Sequence, residues 1–190
     1  TRINLMRSFA GESQARNRYT YAAEAAKSQS LHVIEAVFKF TANQEKEHGK
    51  IFYNFLKEMP GENITIDGSY PVDIYDDVLK LLRSAQHNEF EEFEPVYPDF
   101  AAVANQEGFT NIGAKFNQIA KIEKTHGDRF GMFADLLEQG KLFVSDVEEE
   151  WMCLNCGYVH KSSEAPKSCP VCSHPQGYFV RLKLAPFTTL

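Results

Sequence analysis

Two Glu-x-x-His pairs are the residues whose types and spacing best suit chemistry. Glu45 and His48 form the first pair, and Glu123 and His126 form the second. Residues three apart on a helix share a face, so each pair can point a carboxylate and an imidazole at the same place. Oxygen and imidazole ligands suit iron or manganese, so the pairs predict a site for these metals.

Each pair interrupts a mostly apolar stripe with steps of three and four residues, which is typical of a helix packed in a bundle. The first stripe is Ile34, Phe38, Thr41, Phe52 and Phe55, and the second is Ile112, Phe116, Ile119, Phe130 and Phe133. The second stripe, with its Glu and His, follows the first by 78 residues at every position, and Glu89 follows Glu12 by 77. The repeat therefore predicts two copies of a helix pair, and each pair is expected to point one Glu and one Glu-x-x-His inward.

Four inward carboxylates need cations, because a buried carboxylate is costly unless it is paired or coordinated. They are Glu12, Glu45, Glu89 and Glu123. Few Lys or Arg lie on the same stripes, and Arg16, which lies near one stripe, could pair one carboxylate but not four. The alternative is that both Glu-x-x-His pairs lie on the surface of ordinary helices. Their matched apolar contexts argue against it. One Glu from each of two helices plus two Glu-x-x-His pairs is the ligand set of ferritin-like di-iron proteins.

Composition limits the class of protein. The chain has 190 residues, 43% of them hydrophobic, which suffices for one substantial core and a small module. A net charge of −6 argues against nucleic acid as a partner. We find no apolar run long enough to span a membrane and no signal-peptide pattern in residues 1–11, so we expect a cytoplasmic protein.

The first half is expected to form two helices and a crossover. The first helix covers Thr1 to Lys27, and the second runs from a Ser30 cap to about Met59. Residues 62–72 are rich in loop-forming types and permit a crossover along the bundle. Tyr19 lies about two turns after Glu12 and either hydrogen-bonds to the site or packs in the core.

The second half is expected to repeat this plan with an interruption. Asp73 can cap the third helix, whose inward stripe is Ile74, Val78, Leu82, Ala85, Glu89 and Glu92. Glu92 is an extra carboxylate one turn from Glu89, and the first half has Ala15 in its place. Pro95 and Pro98 predict a kink after the site. The last helix should run from about Thr110 to Gln139, followed by Gly140. His32 and His87 are expected on the surface.

All four cysteines lie in two Cys-x-x-Cys pairs after an acidic stretch, residues 140–150, that we interpret as a linker. The pairs are Cys153 with Cys156 and Cys169 with Cys172. In a reducing compartment this pattern predicts a tetrahedral metal site rather than disulfides. Four thiolates suit zinc and iron alike, and they leave His160 and His174 no coordination role.

Taken together, these motifs resemble the rubrerythrin family over nearly the whole chain. The resemblance is carried by residues 11–19, 44–48, 89–92, 97–100, 123–126 and 153–158, with Ala165, Pro166 and residues 169–172. It implies a mainly α protein, with a ferritin-like four-helix bundle in residues 1–146 and a small β-rich rubredoxin-like domain in residues 147–190. It also implies a di-iron site on Glu12, Glu45, His48, Glu89, Glu92, Glu123 and His126, and one iron on the four cysteines.

The family's activity implies a non-haem di-iron peroxidase that reduces hydrogen peroxide to water and protects against oxidative stress. Electrons would pass through the rubredoxin-like iron site from rubredoxin or an NAD(P)H-dependent reductase. In the family, one iron moves between a Glu and a His on reduction, which here would be Glu92 and His48. Tyr19 and Tyr97 match tyrosines that hydrogen-bond to site carboxylates. The rubredoxin-like domain can lie too far from the di-iron site of its own subunit to pass electrons to it. We therefore expect a homodimer with electron transfer between subunits.

Two other functions stay open from the sequence. A ferroxidase or iron-storage protein uses the same bundle, although storage does not require an attached redox module. A non-enzymatic metal-binding protein with a structural zinc ribbon is the other alternative. Metal analysis distinguishes the zinc-ribbon alternative, because it requires zinc on the cysteines and redox-inert metals in the bundle.

Overall fold

The computed structural model describes residues 1–187, so the last three residues of the predicted C-terminal domain lie outside the described part. Its larger part is a four-helix bundle, in which the third bundle helix is divided in two. The helices are α1 (Arg2–Ser28), α2 (His32–Asn54), α3 (Val78–Glu91), α4 (Tyr97–Gln106) and α5 (Thr110–Glu138). No helix among these is long and apolar enough to cross a membrane.

Helix α2 differs from its prediction at both ends. Leu31 rather than Ser30 precedes its first turn, and Ser30 adopts a left-handed φ of 60° in the tight turn after α1. At the other end α2 stops at Asn54, before the predicted Met59. Pro60 and Gly61 therefore lie in the connection to α3, which we call the crossover segment and define as residues 55–77.

The crossover segment is longer than predicted because Asp77, and not Asp73, caps α3. The Asp77 carboxylate accepts a hydrogen bond from the backbone N–H of Leu79 at 2.9 Å. Asp73 instead accepts hydrogen bonds from Arg18 and Asn88 and so ties the segment to α1 and α3. Ile74, predicted to face inward, precedes the helix and is 86% exposed.

A π-helical turn, Glu92–Val96, forms the predicted kink and separates α3 from α4. A π turn accommodates one extra residue in a helix. This extra residue explains why the spacing between the two copies of the repeat changes. Glu89 follows Glu12 by 77 residues, whereas Tyr97 follows Tyr19 by 78. The turn thus restores Tyr97 to the position that corresponds to Tyr19 in the first half.

Both predicted stripes face the bundle interior. Phe38 and Phe130 lie in one apolar cluster, and Phe52 and Phe116 lie in a second cluster toward the other end of the bundle. All four side chains are fully buried. Each Glu-x-x-His pair lies between these phenylalanines in its own helix, so the polar residues occupy the layer between two apolar clusters.

The C-terminal module is a three-stranded antiparallel sheet in the order β2-β1-β3. Its strands are β1 (Val144–Cys153), β2 (Val159–Glu164) and β3 (Phe179–Arg181). Strand β1 includes residues 144–150, so the prediction of a linker there was wrong, and β1 also crosses the boundary predicted at residue 146. Trp151 pairs with His160 on one side and Arg181 on the other.

The module packs against the end of the bundle where α2 begins. Val180 joins the nearer apolar cluster of the bundle, and Gly177 lies directly against the carbonyl of Ser30. The imidazole of His32 stacks on the ring of Tyr178, with centroids 4.1 Å apart. His32 is therefore a contact residue between the two parts and not the solvated residue that we predicted, whereas His87 is exposed as expected.

Candidate metal centre

The bundle brings six of the seven predicted metal ligands into two adjoining clusters. In each cluster the potential ligand atoms lie within 4.8 Å of one another. The first cluster is Glu12, Glu45, His48 and Glu123, and the second is Glu45, Glu89, Glu123 and His126. Because Glu45 and Glu123 belong to both, their carboxylates can bridge two metal ions, while each ion keeps one further Glu and one His.

Most potential ligand atoms of the site converge without a hydrogen bond, although Nδ1 of His48 bonds with Oε2 of Glu45 at 3.1 Å. Nδ1 of His126 lies 2.9 Å from Oε1 of Glu45 and 2.9 Å from Oε2 of Glu123. Nevertheless, these atoms have no hydrogen-bond partner, and neither do Oε2 of Glu12 and Oε2 of Glu89. Unsatisfied buried polar atoms are costly, so converging donors without partners fit a pair of metal ions.

Without metal, the ionised form of two of the carboxylates is disfavoured. Burial and the neighbouring Glu123 carboxylate raise the pKa of Glu12 well above its usual value. Burial and the Glu45 carboxylate raise the pKa of Glu89 in the same way. Two cations would reverse both effects, because a metal ion favours the ionised carboxylate at short range.

In the two histidines the neighbouring carboxylates favour the charged form instead. Burial alone would lower their pKa values, but the Glu123 and Glu45 carboxylates raise the pKa of His48 to about 10 and that of His126 to about 12. Burial of Glu45 is likewise outweighed by His126 and His48, which lower its pKa to about 2. In the metal-free protein, protons on the imidazoles therefore supply part of the positive charge that this carboxylate cluster needs.

Two buried tyrosines orient the terminal carboxylates. The hydroxyl of Tyr97 donates to Oε1 of Glu12 at 2.5 Å, and that of Tyr19 donates to Oε1 of Glu89 at 2.5 Å. In each carboxylate the second oxygen, Oε2, stays without a hydrogen-bond partner. The tyrosines thus occupy one oxygen and leave the other directed at the metal position.

Glu92, the seventh predicted ligand, lies at the edge of the site. It begins the π turn, is only partly buried, and belongs to neither four-residue cluster. Burial and the Glu123 and Glu45 carboxylates nevertheless raise its pKa to about 8, so it lies close to the site's negative charge. Glu92 keeps a helical backbone at the end of α3, one turn after Glu89, and the irregular residue of the π turn is Glu94.

The four cysteines form a second cluster in the C-terminal module. The Sγ atoms of Cys153 and Cys172 are 3.7 Å apart, and those of Cys156 and Cys169 are 3.6 Å apart. Four thiolates around one ion at about 2.3 Å would lie about 3.8 Å from each other, so the spacing fits a tetrahedral site. The backbone N–H of His174 lowers the pKa of Cys172 to about 6, which favours the thiolate.

We did not identify one positively charged residue near the site from its sequence pattern. Arg16, the residue suggested as a partner for the carboxylates, is exposed. Arg129 is half-buried instead and donates to Oγ1 of Thr41 at 2.9 Å and to Oε1 of Gln44 at 3.1 Å. It lies near enough to Glu45 to interact with its charge. Its position three residues after His126, on nearly the same helical face, was the available signal.

Comparisons with known proteins agree with this geometry. The family model described as rubrerythrin matches residues 4–134, and the model of its rubredoxin-like domain matches residues 151–180. The chain is 46% identical to a rubrerythrin of Clostridium perfringens, covering 94% of this chain and 92% of that protein. It is 45% identical to a rubrerythrin of Porphyromonas gingivalis, with coverages of 96% and 90%.

A solved structure of nigerythrin in its mixed-valence state is also similar. It superposes with a TM-score of 0.62 at 28% sequence identity, covering 94% of this chain and 84% of that chain. The match extends over both the bundle and the C-terminal module. The combination of a helical bundle with a small C-terminal module is therefore shared with a protein of known structure.

Proposed function

The chain belongs to the rubrerythrin family, and from this premise we propose that it is a non-haem di-iron peroxidase that reduces hydrogen peroxide to water. The observation that carries the proposal is the pair of clusters that share Glu45 and Glu123. Carboxylates shared by the two clusters would hold two ions side by side, which suits a substrate of two bonded oxygen atoms. Two iron ions, when bound in their reduced state, would supply the two electrons that the reaction consumes.

The oxygen-rich ligand set supports iron at this centre. Four carboxylates and two imidazoles in the clusters provide hard and intermediate ligands, which suit iron and manganese. With Glu92 added, five negative charges face two ferric ions, which leaves one positive charge before any bridging oxide or hydroxide. We propose that Glu92 ligates in the oxidised state and His48 in the reduced state, so that ligand charge follows metal charge.

The reaction also needs two protons for each peroxide. Glu92 is the group best placed to exchange them, because it is partly exposed while the four other site carboxylates are buried. Tyr97 and Tyr19 remain hydrogen-bonded to Oε1 of Glu12 and Glu89 and so act as positioning residues. Their hydroxyls hold the carboxylates in one orientation while the charge of the centre changes.

We propose a third iron on the four cysteines, which would pass electrons singly to the di-iron pair. The module contacts the start of α2 at His32, and His48 lies sixteen residues further along that helix. At about 1.5 Å per residue this is about 24 Å along the bundle, which is long for one electron-transfer step. This separation supports a homodimer in which one subunit's module serves its partner's di-iron site.

The electrons would come from rubredoxin or from an NAD(P)H-dependent reductase. Part of the four-cysteine site is open to such a donor, because Cys156 is exposed and Cys172 is partly exposed. Turnover with purified donors, followed by NADH oxidation, tests this assignment. Sedimentation of the active protein tests the dimer, and an active monomer would contradict it.

Anaerobic stopped-flow spectroscopy of the fully reduced protein tests the peroxidase itself. We would mix it with one equivalent of hydrogen peroxide or of dioxygen and follow the di-iron and cysteine-iron absorbances separately. Rapid di-iron oxidation by peroxide, followed by slower oxidation of the cysteine site, is expected. Faster reaction with dioxygen would favour a ferroxidase, and a colourless cysteine site that contains zinc would favour the zinc-ribbon alternative.

A further inference from the structure

A cavity of about 550 Å³ lies between the bundle and the crossover segment, beside the di-metal site. Helix α1 and the π turn form its inner wall, with Ser8, Gly11 and Glu92, and residues 67–71 form its outer wall. Glu92 and Tyr97 are the site residues that the cavity reaches. An unbound molecule can therefore approach the centre past Glu92.

The outer wall is held in place by a small set of contacts. The guanidinium of Arg7 pairs with the carboxylate of Asp67, and the hydroxyl of Tyr70 donates to the carbonyl of Arg7 at 3.3 Å. Ring and hydroxyl atoms of Tyr70 would lie 2.9–3.0 Å from a Cβ on Gly68, so the Tyr70 side chain packs closely against this glycine. The crossover segment thus covers the cavity with an aromatic side chain.

Because Gly11 has no side chain, space remains between Glu92 and Tyr70 in the cavity. A Cβ at this position would lie 3.9 Å from Oε1 of Glu92 and 3.9 Å from Cε1 of Tyr70. These are ordinary contact distances, so an alanine would fit, whereas a long side chain would fill the space between the two residues. The width of the passage therefore depends on the absence of a side chain at residue 11.

The cavity is much larger than hydrogen peroxide requires. A water molecule occupies about 30 Å³ in the liquid, so peroxide with its two oxygen atoms needs about 60 Å³. Cavities of about 300–1,000 Å³ usually hold organic ligands. Val96, Phe100 and Pro71 add apolar surface to the ring of Tyr70 in its wall. The rest of the wall is largely polar, with Arg7, Arg18 and Asn88 among its residues. Size and lining therefore suit a molecule that carries both an organic group and a polar group.

Ser8 supplies a polar group that has no partner in the protein. Its side chain is 3% exposed, its Oγ has no hydrogen-bond partner, and it lines the cavity one helical turn before Gly11. A buried hydroxyl without a partner is costly, so its presence in a cavity wall points to a bound hydrogen-bonding molecule. Most serines within helices bond to their own backbone instead, as Ser13 does with the carbonyl of Phe9.

We propose that this cavity binds organic hydroperoxides, ROOH, as a second substrate class of the same centre, an inference that rests on the peroxidase function proposed above. The hydroperoxyl group would lie at Glu92, and the organic group would lie against Tyr70 and Phe100, with Ser8 bonding to an oxygen of the substrate. The reaction breaks the O–O bond. It uses two electrons from the same cysteine-iron relay and two protons from solvent, and it yields the alcohol ROH and one water.

Binding is tested without turnover, by calorimetry on protein loaded with zinc. The probe is 2-phenyl-2-propanol, the alcohol formed from cumene hydroperoxide. We expect saturable binding of one molecule per chain, weakened at least tenfold by Gly11→Met and several-fold by Ser8→Ala. Ser13→Ala, on the same helix but outside the cavity wall, should bind like the unmodified protein. Absence of saturable binding would overturn the proposal. So would binding by Gly11→Met and Ser8→Ala that is as tight as binding by the unmodified protein.

Kinetics with both peroxides separates this inference from the proposed function. We expect cumene hydroperoxide to be reduced, and Gly11→Met to lower the ratio of its kcat/KM to that of hydrogen peroxide at least tenfold. Reduction of hydrogen peroxide alone by the unmodified protein would refute the second substrate class and leave the peroxidase proposal intact. If neither is reduced, both proposals fail. Circular dichroism checks that each variant is folded, and Ser8→Ala gives an independent test if Gly11→Met is not.

Discussion

Tyr97 donates a 2.5 Å hydrogen bond to Oε1 of Glu12, which lies 85 residues earlier in the chain and on the other half of the repeat. Tyr19 makes the reciprocal bond to Glu89. Each half of the repeat therefore orients a buried carboxylate of the other half. This exchange couples the geometry of the two metal positions, because neither terminal carboxylate is positioned by its own half alone.

The Tyr97→Phe variant is expected to bind metal more weakly at the position next to Glu12. Loss of a hydrogen bond to a ligand typically lowers metal affinity about 10- to 100-fold. Competition with a chelator, followed by metal analysis, measures the change. Tyr21→Phe is the matched control, since Tyr21 is 64% exposed on the same helix as Glu12. Equal metal affinity in Tyr97→Phe and Tyr21→Phe would contradict a positioning role for Tyr97.

Glu92→Ala should retain two metal ions, because each cluster keeps four ligands without Glu92. We expect the oxidised protein to lose a ligand, and the rate of di-iron oxidation by peroxide to fall at least tenfold. Metal analysis and stopped-flow measurements test the two parts separately. Structures of the unmodified protein in both redox states test the exchange of Glu92 and His48, and identical coordination in the two states would exclude it.

The metal-free protein should become less stable as the pH rises from 6 to 9. Glu92, with its pKa raised to about 8, keeps a proton in the folded state that the unfolded chain releases near its ordinary pKa of about 4.5. His48, raised to about 10, likewise holds a proton that the unfolded chain loses near 6.5. The folded state thus binds more protons across this range, and its stability falls with pH.

Thermal unfolding of the metal-free protein at pH 6, 7, 8 and 9 measures this dependence. The two-metal form is the control, because its ligands are already deprotonated and its unfolding temperature should depend less on pH over this range. A metal-free protein whose unfolding temperature rises between pH 6 and 9 would show that the imidazoles and Glu92 are not protonated as described.

Gly177→Ala should separate the C-terminal module from the bundle. A Cβ on Gly177 would overlap the carbonyl of Ser30, which is backbone and cannot move aside cheaply. We expect a lower unfolding temperature and faster proteolysis between residues 139 and 144, with metal binding at the di-metal site retained. Ser163→Ala, at an exposed position of the same module, is the control and should behave like the unmodified protein. Equal protease sensitivity of the two variants would count against this junction.

Much of the site could be predicted from the sequence because its ligands repeat with helical spacing. Glu45 and His48 share a face whatever surrounds the helix, and the apolar stripe shows that this face is buried. The cysteine pairs are equally local, since each Cys-x-x-Cys turn is formed by adjacent residues. The ends of the elements were predicted less well, because Asp73 and Asp77 can each cap a helix and only packing selects between them.

The sequence by itself determined the two helix pairs, their inward carboxylates and imidazoles, and the four-cysteine site, because these follow from helical periodicity and short spacing. Only the tertiary structure decided the shared roles of Glu45 and Glu123, the π turn between Glu92 and Tyr97, and the contact of the module with the start of α2. It also decided the cavity beneath Tyr70. These features depend on contacts between residues far apart in the chain, and such contacts leave no periodic pattern in the sequence.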